Sequence, residues 1–203
     1  MKIAFARTVA LLFFIVGAAI GSAAAERTLT LKSTDVAGAI IGITIDAGRT
    51  KITAGNTRLT GETKDGQKRR YVNQDGAVIA EVKLGETDGF KVRTPAGKLL
   101  WKVKVTEAKT KISDNEENKD AFELAIKGNA VRVTRNERLI GALDLAPAAN
   151  GGRTTTSLRD ANGKVLFTVD PAVRSVAAGV ALLEPIPADY RRIIIAELFA
   201  RAK

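Results

Sequence analysis

Lysines, arginines and carboxylates carry almost all the chemistry available to this chain, whose 203 residues include no histidine and no cysteine. Histidine is the usual general base near neutral pH and the commonest metal ligand. Without it and without cysteine, Ser-His-Asp and Cys-His catalysis, nearly all zinc sites and disulfides are excluded. The densest signal is basic: Lys91, Arg93, Lys98, Lys102, Lys104, Lys109 and Lys111 occupy a short stretch whose only acid is Glu107. Lys102 and Lys104 alternate with Trp101 and Val103, so a strand here shows its lysines on one face and its apolar residues on the other. With Lys91 and Arg93 on adjacent strands, these residues are the candidate anion-binding site, which Lys68, Arg69 and Arg70 would extend. The competing expectation is an ordinary solvated face whose lysines protect strand edges.

The acids offer less. Glu116, Glu117 and Asp120 cluster in a polar loop, where they are expected to solvate a turn rather than share a proton. Asp160 and Asn162 read as turn chemistry, because the remaining ligands of a calcium loop are missing. Ser113-Asp114-Asn115 spells one element of the penicillin-binding serine enzymes, but the companion motifs are absent. There is no glycine-rich phosphate loop. No catalytic residue, cofactor or metal is expected, and the protein is expected not to be an enzyme.

These side chains must be held by something, and the chain divides into three parts. Residues 1–25 read as a secretory signal peptide: Lys2 and Arg7, then an uncharged apolar run, then Ser22-Ala23-Ala24-Ala25 as the cleavage site. An uncleaved membrane anchor is the alternative, since Thr8 to Ala25 approaches the length of a span. The implied location is periplasmic or secreted. Net charge over the full chain is +10, and loss of the leader removes two cations and no acid.

Residues 26–170 read as an antiparallel β domain. Phe122, Leu124 and Ile126 alternate with Glu123, Ala125 and Lys127, and Val131 and Val133 with Arg132 and Thr134. Asp65-Gly66, Asp75-Gly76 and Asp88-Gly89 mark tight turns, with others at Ala47-Gly48, Arg135-Asn136-Glu137 and Asn162-Gly163. The expected fold is mainly β, an antiparallel meander of about twelve short strands forming a barrel or sandwich. Such strands are shorter than a membrane-crossing barrel requires.

Residues 171–203 read as a C-terminal hydrophobic helical segment of the same domain, packed on or inside the sheet. Asp170-Pro171 is the expected start of a first helix and Pro187-Ala188-Asp189 of a second. Ile193, Ile194, Ile195, Leu198 and Phe199 cover several faces of the second helix, as in a buried helix.

The repeated units Asp75-Gly76-Ala77-Val78-Ile79, Ala96-Gly97-Lys98-Leu99-Leu100 and Asn162-Gly163-Lys164-Val165-Leu166, with the segment Ser175 to Phe199, give the chain an architecture. Over most of residues 28 to 203 it resembles the tubby-like superfamily, which includes the LURP-one-related and phospholipid-scramblase-like domains. The resemblance implies a twelve-stranded barrel around a central C-terminal helix and carries no functional residue across. Glu184-Pro185-Ile186-Pro187 departs from it by interrupting the helix.

The function expected is that of an exported, non-enzymatic binding or structural module of the cell envelope, docking anionic lipid or envelope polysaccharide through the basic strand face. A protein-interaction or inhibitor module that uses the apolar C-terminal helix is the alternative. A carboxylate-dependent hydrolase comes third. Nucleic acid is not an expected partner, because stacking aromatics are scarce and the chain is exported. After cleavage the protein is expected not to be an integral membrane protein.

Overall fold

The computed structural model describes residues 26–35, 39–85, 89–146, 154–172 and 175–202. The leader at residues 1–25 and its cleavage site lie outside the described residues, as does Asp88 of one expected turn.

Fourteen antiparallel strands follow one another around a closed barrel, each paired with its neighbours in sequence, and β1 pairs with β14 to close the ring. They are β1 (Arg27–Ser33), β2 (Ile40–Asp46), β3 (Arg49–Ala54), β4 (Thr57–Asp65), β5 (Lys68–Asn73), β6 (Val78–Leu84) and β7 (Phe90–Arg93). Then come β8 (Leu99–Val105), β9 (Lys109–Ser113), β10 (Phe122–Lys127), β11 (Ala130–Arg135), β12 (Arg138–Ala146), β13 (Thr155–Asp160) and β14 (Val165–Asp170). Closure leaves no free strand edge. The meander is as expected, with fourteen strands instead of about twelve. β7, at four residues, and β9, at five and carrying two lysines, are too short to show a clear period of two.

Period-two alternation decides which face looks inward. Leu29 and Leu31, Ile43, Ile52, Tyr71, Val82, Phe90 and Val92, Val103, Ile112, Leu124, Val131 and Val133, Leu143, Leu158 and Val169 are buried in the lumen. Their strand neighbours, mostly charged or Thr, look outward. Fourteen strands enclose more space than side chains alone can fill, since about eight strands suffice for that. Two helical passes fill the rest. α1 (Val176–Gly179), continued by a 3₁₀ turn (Val180–Leu182), packs on β10, β11 and β12. α2 (Ala188–Arg201) packs on β2 and β3, across the ring, and against α1.

Asp170 does not start the first helix. It is still in the sheet, opposite Thr30, and Ser175 is the cap: its hydroxyl accepts from the Ala177 N–H at 3.2 Å. The second start is where the sequence puts it, with α2 beginning after Pro187, Asp189 in its first turn and Arg201 in its last, as the helix dipole favours. Seven successive residues, Ile193 to Phe199, are buried, which is possible only for a helix enclosed on every side. Fourteen residues make a helix about 21 Å long, close to the roughly 20 Å of a six-residue strand. Gly179 lets the first pass approach the wall closely: a Cβ there would lie 3.0 Å from Leu124 and 3.3 Å from Val133. Among the described residues no helix is long and apolar enough to cross a membrane.

Candidate anion-binding site

Hairpin register builds a row of lysines on the outer wall. Lys68 of β5 is directly opposite Lys83 of β6, Lys83 is opposite Lys91 of β7, and Lys91 is opposite Lys102 of β8. Neighbouring strands stand about 4.8 Å apart, so four like charges spread over about 14 Å of sheet. Cross-strand pairs of like charge destabilise a sheet, so this alignment works against the fold unless something anionic answers it. One strand further on, Lys104 is opposite Lys111. A groove of about 530 Å³ runs along this wall. Among the described residues its charged lining is Lys83, Lys91, Arg93, Lys102 and Lys104, with Gln67 and Asn118 beside them.

The loop from Asp114 to Ala121, between β9 and β10, walls one side. Asn115 fixes its shape, accepting from the Lys119 N–H at 2.8 Å and donating to the Lys119 carbonyl at 2.9 Å. The Ser113 hydroxyl donates to the Asn115 carbonyl at 3.0 Å and also bonds the Asn118 side chain at 3.2 Å. Ser113-Asp114-Asn115 is thus loop scaffolding. From this loop Glu116 reaches the basic wall, 2.8 Å from Lys91, 3.6 Å from Arg93 and 3.7 Å from Lys102. The hydrogen bond from Lys91, aided by the charges of Lys91, Lys102 and Arg93, holds its carboxyl below the usual carboxylate range. Glu116 therefore does more than solvate a turn.

The structure divides the seven sequence-predicted residues into three groups. Lys91, Arg93 and Lys102 converge on Glu116. Lys109 and Lys111 instead flank Glu123 of β10, at 3.3 and 2.6 Å, and the hydrogen bond from Lys111 is the main reason that carboxyl is also lowered. Lys98 and Lys104 are exposed and form no ion pair among the described residues. Of the three possible extensions, only Lys68 joins the row. Arg70 pairs with Glu81 at 3.3 Å, and Arg69 turns into the lumen.

Arg69 leads to a second cluster, which the sequence reading missed. Glu197 of α2 is fully buried. It accepts from the Tyr71 hydroxyl at 2.7 Å, from Arg69 at 3.0 Å and from Arg201 at 2.5 Å. Burial pushes the Tyr71 hydroxyl well above its ordinary pKa, and the Glu197 charge and hydrogen bond add to that, against the opposing effect of Arg69. Burial works to lower the Arg69 pKa, but the charges of Glu197 and Tyr71 outweigh it and leave it raised. The ring of Tyr71 reaches inward by passing over Gly61, its cross-strand partner, where any Cβ would come within 2.6 Å of it. A lone acid between Ala196 and Leu198 was the available signal. Two further cation–π contacts finish this end of the barrel, Arg201 on Phe90 at 4.7 Å and Arg27 on Phe199 at 4.8 Å.

No protein-family model, curated protein or solved structure matches this chain. Its chemistry therefore rests on the two clusters themselves. Glu197 is fully buried and its carboxylate is met by three donors, the arrangement of a structural tie. Among the described residues no group of acidic side chains converges to hold a metal ion. Asp160 accepts from the Asn162 and Lys164 N–H groups, both at 2.9 Å, as turn chemistry requires.

Proposed function

We propose that this chain is an exported, non-catalytic binding module of the cell envelope that docks on anionic lipid headgroups through the outer face of β5 to β8. The observation that carries this reading is the cross-strand row Lys68, Lys83, Lys91 and Lys102, bordered by a groove lined by five cations. Juxtaposed lysines cost stability in isolation, and an anionic surface relieves that cost. Headgroups are favoured over polysaccharide because the only aromatic ring lining the groove, Phe90, is buried and offers no stacking face. Charged residues outside and apolar residues inside are the reverse of a barrel that crosses a bilayer, which supports docking on a surface.

A kinship in fold with the tubby-like superfamily belongs to the same reading. What supports it is a C-terminal helix enclosed by an antiparallel barrel; fourteen strands and a two-pass helical filling are where this chain departs. The alternative, docking through the C-terminal helix, would need Ile193, Ile194, Leu198 and Phe199 to leave the lumen, where they are buried.

The test is co-sedimentation of residues 26–203, which contain every strand and helix described, with vesicles of neutral lipid and of neutral plus anionic lipid at two salt concentrations. Binding only to anionic vesicles, weakening as salt rises, is expected. Lys83→Gln and Lys102→Gln should each weaken it by about 1 kcal/mol, roughly fivefold. Absence of binding overturns the lipid reading, and retention on an anionic polysaccharide instead would reassign the face to glycan.

A further inference from the structure

Glu116 is held as a bound anion would be. Its carboxylate is nearly half exposed and comes from a loop outside the sheet, yet it occupies the point where Lys91, Arg93 and Lys102 converge. It satisfies that point poorly. Lys91 is 2.8 Å from both of its oxygens and is the one cation of the three within hydrogen-bonding distance of the carboxylate. Arg93 and Lys102 approach it only to 3.6 and 3.7 Å, beyond hydrogen-bonding distance. They turn to backbone carbonyls instead, Arg93 to Gly97 at 2.7 Å and Lys102 to Glu116 itself. Among the described residues three cations face this one carboxylate, with Lys83 and Lys104 along the same groove and Glu81 opposite Arg93 on the neighbouring strand.

We propose that Lys91, Arg93 and Lys102 form an oxyanion site suited to a phosphate monoester, and that Glu116 is a resident competitor which the ligand displaces. This rests on the reading of the outer wall as an anion-binding face and specifies its ligand. A phosphate monoester carries three terminal oxygens, one acceptor for each cation, and close to two negative charges at neutral pH. The carboxylate supplies two oxygens and one charge. Displacement requires rotation of the Glu116 side chain and release of its backbone carbonyl by Lys102, while the bonds between Asn115 and Lys119 keep the loop backbone in shape. On an exposed surface each ion pair contributes little, so an incoming dianion can compete.

The experiment compares the wild-type protein, Glu116→Gln, and the double variant Glu116→Gln with Lys102→Gln. Inorganic phosphate is titrated while the amide resonances of β7 and β8 are followed, and in parallel each protein is sedimented with vesicles containing a phosphate-monoester lipid. Glu116→Gln should bind phosphate about tenfold more tightly than wild type, the worth of one or two surface ion pairs, and the double variant should lose that gain. If phosphate and vesicles both gain, the lipid is the source of the phosphate. If phosphate alone gains, the site stands and its ligand is soluble, while the membrane reading fails. If vesicles bind wild type and Glu116→Gln equally and phosphate shows no gain, the membrane reading stands and this proposal is overturned. No phosphate binding by Glu116→Gln also overturns it.

Discussion

Replacing Glu197 with alanine would strip three donors of their common acceptor while leaving Arg69 and Arg201 only slightly exposed. Removing one partner from a buried ion pair costs far more than the pair contributes, so the expected loss is about 3 kcal/mol by urea denaturation. Tyr71→Phe removes one hydrogen bond to a charged group and should cost about 1.5 kcal/mol. The two losses should fall short of additive, because both changes touch one network. A loss below about 0.5 kcal/mol for Glu197→Ala would show that water already satisfies the arginines. The raised Tyr71 pKa gives a pH signature. Its folded value lies above its unfolded one, so its contribution is complete below the ordinary value of about 10 and is lost as pH rises beyond it. Ultraviolet titration should show one of the two tyrosines ionising together with unfolding, and Tyr71→Phe should abolish that phase. Little of this was legible in the sequence beyond a single acid in an apolar run with Arg201 four residues on, because Tyr71 and Arg69 lie on β5, more than a hundred residues away.

At the level of elements the sequence was most readable where local rules decide. Period-two alternation delineated many of the strands, Asp65-Gly66, Asp75-Gly76 and Asn162-Gly163 marked turns between them, and Pro187 marked the start of α2. Asp170-Pro171 misled because an N-cap signal competes with strand pairing, and tertiary contact with β1 won. The basic wall was half legible: strand alternation exposes the lysines, but only the register of three hairpins aligns Lys68, Lys83, Lys91 and Lys102. No residue pattern announced that the Asp114 to Ala121 loop folds back onto it. One turn is strained in a way that can be tested. The two residues between Arg135 and Arg138 both have positive φ, Asn136 at 49° and Glu137 at 64°. This hairpin geometry favours Asn-Gly, and glutamate bears a steric penalty there. Glu137→Gly should raise stability by about 0.5–1 kcal/mol, read as a higher thermal midpoint. A lower midpoint would mean that the Glu137 side chain contributes more than its backbone costs.

For the whole molecule, wall and filling are one core. Ile186, Ile193, Ile194, Ile195, Leu198 and Phe199 are buried against the lumen side chains, each contributing about 1.5–3 kcal/mol. Their sum is comparable with the entire 5–15 kcal/mol by which a domain is stable. A chain ending at Pro185 should therefore show no cooperative unfolding transition and should bind hydrophobic dyes. A truncated chain that melts cooperatively would show instead that the barrel is self-sufficient. Glu116 and Glu123 add a smaller acid-side effect. Their folded pKa values are depressed, so what they contribute is present above the ordinary carboxylate range and fades as pH falls below it.

The order of elements along the chain has a consequence for how the molecule is made. All fourteen strands leave the ribosome before the helices that fill them, and the ring closes between β1 and β14, whose paired residues are well over a hundred positions apart. Until α1 and α2 emerge, translation yields a ribbon whose greasy side has nothing to cover it and whose two outermost strands are free to pair with other chains. Assembly is thus timed to the end of synthesis. The order of the elements along the chain thus leaves the apolar face of the ribbon uncovered until the last residues have been made.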